Sequence, residues 1–175
     1  MTTTFHDFLE RMKVNVTSPD RTVSAGYSGR GGITVSFRQG AFTRHDEASL
    51  VTQIDHALDG VTTGFDSGMS HIYKARGIQP PPTEPTGTRT SRYRQRFREL
   101  AYELKSYATS PLGCVKVRIS NNHRINVRIA PGTLNRMDMT EERLASELLS
   151  ALTEASRDYS TKRRDLRDTV YADLG

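Results

Sequence analysis

Between residues 22 and 38 apolar and polar side chains alternate at a period of two, and they do so again between 114 and 130. VSAGY and ITVSF flank the glycine-rich SGRGG, while VKVRI and INVRI flank SNNHR. Such alternation marks half-buried strands, so strands 22–28 and 33–38 form one predicted hairpin and 114–120 and 124–130 another. Glycine and asparagine in the connectors tolerate the positive φ of tight hairpin turns. A phosphate-cradling glycine loop needs a strand–loop–helix context, whereas Gly32 is followed by Ile33 and another strand. GYSGRGG therefore reads as a turn.

Longer segments follow the helical period. TFHDFLERM places Phe5, Phe8, Leu9 and Met12 on one stripe, and residues 46 to 75 align Leu50, Ile54, Leu58, Val61 and Phe65. SRYRQRFRELAYELKSY, residues 91–107, carries Tyr93, Phe97, Leu100, Ala101 and Leu104, and a last helix carries Leu144, Leu148, Leu152, Ala155 and Tyr159. Asp46 or Thr43 caps the second helix and Asp138 or Thr140 the last. KVNVT reads as a short strand ended by Ser18-Pro19. Gly60, Gly64 and Gly68 stand four apart in the second helix; they either line a face that another helix approaches closely or let the helix fray.

The pattern repeats. TSP at 17–19 matches TSP at 109–111, an offset of 92, and Val23/Val115, Ser28/Ser120, Ile33/Ile125, Val35/Val127 and Gly40/Gly132 follow. Asp46 then meets Asp138, and two extra residues shift the offset to 94, so that Glu47 meets Glu141 and Leu50 meets Leu144. A tandem duplication is expected: repeat 1 at 1–76, a linker at 77–90 with prolines at 80, 81, 82 and 85, and repeat 2 at 91–175. The fold class is α+β, with two tandem helix–antiparallel strands (two or three)–helix units. An 80-residue unit of this kind buries a modest core, so the units are expected to pair as a pseudo-symmetric intramolecular dimer.

Charge separates the copies. Residues 1–78 hold eight basic and eight acidic side chains, while 79–175 hold seventeen and twelve, which supplies the whole net charge of +5. Such asymmetry points to a polyanion partner for the second copy. The single cysteine, Cys114, excludes an internal disulfide and a cysteine-based zinc cluster and reads as an inert thiol in a strand. The chain has no long apolar run and its N-terminus has no secretory pattern, so a cytoplasmic, membrane-free protein is expected.

The motif TSP–x₃–VKVRI…INVRIAPGTL…EERLASELLSALTEA, with its degenerate twin in the first copy, resembles the YbaB/EbfC family of small bacterial nucleoid-associated proteins. The resemblance implies a helix–three strands–helix fold, dimerisation, a nucleoid location and binding of double-stranded DNA with little sequence preference. The first copy departs from the pattern where FRQGAF replaces a proline-containing turn.

Candidate phosphate contacts are Arg92, Arg94, Arg96 and Arg98 on the third helix, Lys116, Arg118, Arg124 and Arg128 on the outward parity of the second hairpin, and Arg163 and Arg164 near the C-terminus. Arginine suits phosphate because its planar fork donates two parallel charge-assisted bonds. The matching outward face of the first copy holds Ser24, Gly26, Thr34 and Ser36, with only Arg38 charged. His6, His45, His56, His71 and His123 have no metal-ligand spacing, and Asp55 and Asp59 form at most a paired carboxylate on a helix face. No catalytic residue, metal or cofactor is expected, and the chain is not read as an enzyme. The alternative is a scaffold or type VII secretion-associated factor that holds a protein partner through repeat 1 and does not bind DNA. Exposed sheet edges also allow a homo-oligomer.

Overall fold

A computed structural model of the chain describes residues 5–75, 89–120 and 123–173, so the linker prolines lie outside the described residues. The order is α1 (Phe5–Arg11), β1 (Lys13–Thr17), β2 (Val23–Ser28), β3 (Gly32–Phe37), a 3₁₀ turn (Ala41–Thr43), α2 (Glu47–Ala75), α3 (Arg89–Glu103), β4 (Lys105–Thr109), β5 (Val115–Ser120), β6 (Arg124–Ile129) and α4 (Glu141–Asp173). The architecture is α+β, with two antiparallel three-stranded sheets ordered β1-β2-β3 and β4-β5-β6.

The repeated TSP motif builds the first turn of each sheet. Ser18 Oγ accepts from the Val23 N–H and Ser110 Oγ from the Val115 N–H, both at 3.0 Å. Pro19 occupies the second position of a β-turn closed by Arg21 N–H to Ser18 O at 2.9 Å, and Gly113 N–H closes the matching turn on Ser110 O at 2.8 Å. Arg21 and Gly113 share a left-handed backbone, with φ of 64° and 71°. The second turn of each sheet has three residues, set by the pairs Ser28↔Gly32 and Ser120↔Arg124. GYSGRGG is thus a hairpin turn, with Ser28 Oγ accepting from the Gly31 N–H at 2.9 Å.

Two readings need correction. The predicted helix 91–107 stops at Glu103, and residues 105–109 form β4. Leu104 extends the apolar stripe of α3, but the next residues alternate, with Ser106 and Ala108 buried between exposed Lys105, Tyr107 and Thr109. The glycines of α2 admit a strand and not a helix. A Cβ on Gly60 would come within 2.6 Å of Val16 Cγ1, and one on Gly64 within 2.5 Å of Val14 Cγ1. The second sheet solves the same packing differently. Ser106 stands where Val14 does and donates at 2.7 Å to Asp158, the residue that stands where Gly64 does. Small faces large in one half, and polar meets polar in the other.

The long helices begin at matched caps. Asp46 Oδ1 accepts from the Ser49 N–H at 2.8 Å and Thr140 Oγ1 from the Arg143 N–H at 3.2 Å. Asp46 therefore corresponds to Thr140 and not to Asp138, which moves the two-residue insertion ahead of the cap. α2 packs on β1 and β2 and also on β6; α4 packs on β4 and β5 and also on β3. Each helix thus covers an edge strand of the other sheet. One apolar cluster includes Val23, Leu50, Ile54 and Leu58 together with Val115, Leu144, Leu148 and Leu152. Across the same boundary, Gly40 N–H donates to Glu141 and Leu134 N–H to Glu47.

Candidate nucleic-acid interface

Strand parity divides the second sheet. Val115, Val117 and Ile119 of β5 turn into the core, and Lys116 and Arg118 turn outward. Antiparallel register then sets the outward side chains in rows across the three strands: Thr109–Lys116–Arg128 and, beside it, Tyr107–Arg118–Asn126. Lys105 and Arg124 belong to the third row, through Ser120.

Lys116, Arg118, Arg124 and Arg128 are exposed, and none of them forms an ion pair among the described residues. Arg118 Nη2 donates to Asn126 Oδ1 at 3.0 Å, which holds that guanidinium along its row. Tyr107 rises from β4 with 63% of its surface exposed. Tyr107, Lys116, Arg118, Asn126 and Arg128, together with Asp55 of α2, line a shallow hollow of about 310 Å³. Asp55 lies at its margin and accepts from the Val127 N–H at 3.4 Å. Burial pushes the Asp55 carboxyl above its ordinary range, the Val127 N–H works against that, and neighbouring Asp59 adds to it.

The equivalent face of the first sheet carries Thr17, Ser24 and Ser36 in one row and Asn15, Gly26 and Thr34 in the next. The two sheets have the same strand order, yet one outer face carries several cations with an aromatic ring, while the other has small neutral side chains and a single lysine, Lys13, in its third row.

The remaining expected contacts stand elsewhere. Arg92, Arg94, Arg96 and Arg98 lie on α3, which packs on α4, and α4 covers the core side of β4 and β5. The arginines of α3 therefore form a group separate from the outer face of the sheet. Arg96 is 3.7 Å from Glu99 in an exposed pair, a contact of little energetic weight. Arg163 has local partners: its guanidinium lies 5.6 Å from the centre of the Phe97 ring, and its Nη1 donates to His123 Nε2 at 2.7 Å. Burial, and then the charge of Arg163, hold the His123 imidazole below its ordinary pKa. The imidazole packs edge-on to Tyr159, with centroids 4.9 Å apart. Arg163 thus ties α3, α4 and the β5–β6 turn together. Arg164 is exposed on α4.

Lys105 and Tyr107 were missed as site residues because their segment read as helix. The signal that finds them is the recurring sequence pattern: KVNVT at 13–17, shifted by 92, falls on KSYAT at 105–109.

Among the described residues no three His, Cys, Asp or Glu side chains come together as a metal-binding group, and no helix is long and apolar enough to cross a membrane. Comparison with protein-family models and with curated protein sequences finds no match to this chain, so its function is argued from the site itself.

Proposed function

We propose that this chain is a non-enzymatic DNA-binding protein of nucleoid-associated type, which holds the phosphate backbone with little regard for sequence. The observation that carries the reading is the outer face of the second sheet, where Lys116, Arg118, Arg124 and Arg128 stand exposed and form no salt bridge among the described residues, Asp55 at the margin feeling the charge of Arg124 without pairing with it. A solubility device would spread charge over both halves, whereas the first sheet has only small neutral groups at the matching positions. Contacts to phosphate carry no sequence information, so binding of this kind is sequence-tolerant and salt-sensitive. The arginines of α3 form a second, separate cationic surface. In a bacterial cell the protein would sit in the cytoplasm, on the nucleoid.

The organisation proposed with this function is two YbaB/EbfC-like repeats, 1–76 and 91–175, paired as a pseudo-symmetric intramolecular dimer. The matched turns, matched caps and crossed packing of α2 and α4 support it. The two copies would have diverged, one keeping the cationic face and the other losing it.

A second reading has its own observation. The flat Ser/Thr face of the first sheet suits a protein partner better than a polyanion, and a scaffold would use it without touching DNA. Charge reversal separates the two. Lys116→Glu/Arg128→Glu should abolish binding to a mixed-sequence DNA while leaving circular dichroism unchanged; binding that survives the reversal places the DNA contacts elsewhere, and absence of binding by the unaltered chain supports the scaffold.

A further inference from the structure

We infer that the outer face of β4–β5–β6 takes single-stranded DNA, with Tyr107 as a stacking platform for a base. This rests on the DNA reading above and specifies the form of DNA that the sheet accepts. Phosphate contacts alone need cations, and the face has them; they do not need an exposed aromatic ring. Tyr107 is 63% exposed in the middle of β4, beside Arg118 in its own row and with Lys105 two residues before it on the same face. An isolated surface tyrosine has no such setting. Here the ring borders a hollow of about 310 Å³, lined also by Lys116, Arg118, Asn126 and Arg128.

Shape argues against insertion of this face into a duplex groove, as distinct from contacts to the duplex backbone. Adjacent strands lie about 4.8 Å apart, so three strands backed by helices make a platform roughly 10 Å across between its outer strands, plus side chains. A major groove about 12 Å wide admits one helix or a two-stranded ribbon, and bases stacked inside a duplex offer no free π-face to Tyr107. A single strand laid across the sheet places its bases toward Tyr107 and Asn126 and its phosphates on Lys116, Arg118 and Arg128. Sheets with exposed aromatic side chains bind splayed single strands in this way. In the first sheet Asn15 stands at the position of Tyr107 and Ser24, Gly26 and Ser36 at those of Lys116, Arg118 and Arg128, so that face keeps Lys13 but has no aromatic ring and no cation beside the ring's position.

The test is fluorescence anisotropy with the full-length chain and three labelled probes of one mixed sequence: a 20-nucleotide single-stranded DNA, its duplex, and the corresponding single-stranded RNA. The single-stranded DNA should bind at least about fivefold tighter than the duplex. Tyr107→Ala should weaken the single-stranded DNA by about tenfold or more, as stacking of one base predicts, and leave the duplex unaffected, while Tyr107→Phe retains the affinity. A duplex bound as tightly as the single strand, or a Tyr107→Ala chain with undiminished single-strand affinity, overturns this inference and leaves the DNA reading standing. Tighter binding of the RNA overturns the choice of DNA. Failure of every probe to bind overturns both.

Discussion

The carboxylate of Glu141 accepts a hydrogen bond from the backbone N–H of Gly40, 101 residues earlier in the chain, at 3.0 Å. Its counterpart at the start of α2, Glu47, accepts from the Leu134 N–H at 3.2 Å. Each first-turn carboxylate satisfies an amide in the loop that follows the third strand of the other sheet, while its charge faces the positive end of its own helix dipole. Glu141→Ala and Glu47→Ala should each lower stability by about 1–2 kcal/mol, the range for a partly exposed bond to a charged acceptor. Urea unfolding checks this: both variants should shift the midpoint with an unchanged slope. A substitution with no effect would mean that the two loops are held by packing alone.

The shared core makes a stronger demand. Leu50 of α2 and Leu144 of α4 are fully buried in one cluster although they belong to different helices far apart in the chain. Leu50→Ala and Leu144→Ala should each cost about 2–5 kcal/mol and displace one common transition seen by both circular dichroism and tyrosine fluorescence. Two separable transitions, each moved by only one of the substitutions, would show that the halves unfold independently.

Packing of α2 on β1 depends on a matched pair, with Val14 filling the space that Gly64 leaves. Gly64→Leu should destabilise by about 1–3 kcal/mol, the usual range for overpacking. Val14→Ala removes the methyl groups that a leucine meets, so the double variant should be more stable than the sum of the single effects predicts. A double-mutant cycle with no coupling would contradict this geometry.

Acid stability should depend on Asp20. Burial pushes its carboxyl upward, but hydrogen bonds from Ser18, from the amide and hydroxyl of Thr22, and from His45 outweigh burial and hold it well below the usual carboxylate range. His45 Nε2 lies 2.6 Å from Asp20 Oδ2. A carboxyl whose folded pKa is lowered stabilises the fold fully above its unfolded value, near pH 4, and loses that contribution as the pH falls below it. Asp158, lowered by Lys162 and then by Ser106, acts in the same sense. Thermal melts from pH 7 to pH 2 should show a steep acid limb that is shallower in Asp20→Asn. An acid limb of equal slope in the variant would remove Asp20 as a contributor.

Much of this fold is readable from the residues, for reasons that differ by element. Both hairpins and both long helices extend far enough for periods of 2 and 3.6 to stand out, and the recurrence of the pattern at an offset of 92 lets one half of the sequence check the other. β4 is hidden because Leu104 prolongs the stripe of α3 and its inward residues, Ser106 and Ala108, are small and in part polar, so no apolar alternation shows as it does in KVNVT. The site divided in the same way. Parity places Lys116, Arg118, Arg124 and Arg128 on one face without any structure, whereas Tyr107 joins them only once β4 is a strand. Arg163 reads in the sequence as one charge among Asp158, Asp165 and Asp168, because its contacts to Phe97 and His123 come from elements distant in the chain. The strand that meets Gly60 and Gly64 is likewise a property of the tertiary fold.

The most direct test of the central claim is the affinity of the purified chain for mixed-sequence DNA across a salt series. Release of counterions from about four or five phosphates predicts that log K falls with log salt at a slope of roughly −3 to −4.5, on about −0.7 to −0.9 per contact, and that Lys116→Glu/Arg128→Glu removes the binding. No measurable affinity at low salt, or an affinity indifferent to salt and to that charge reversal, would contradict a DNA-binding role for this protein.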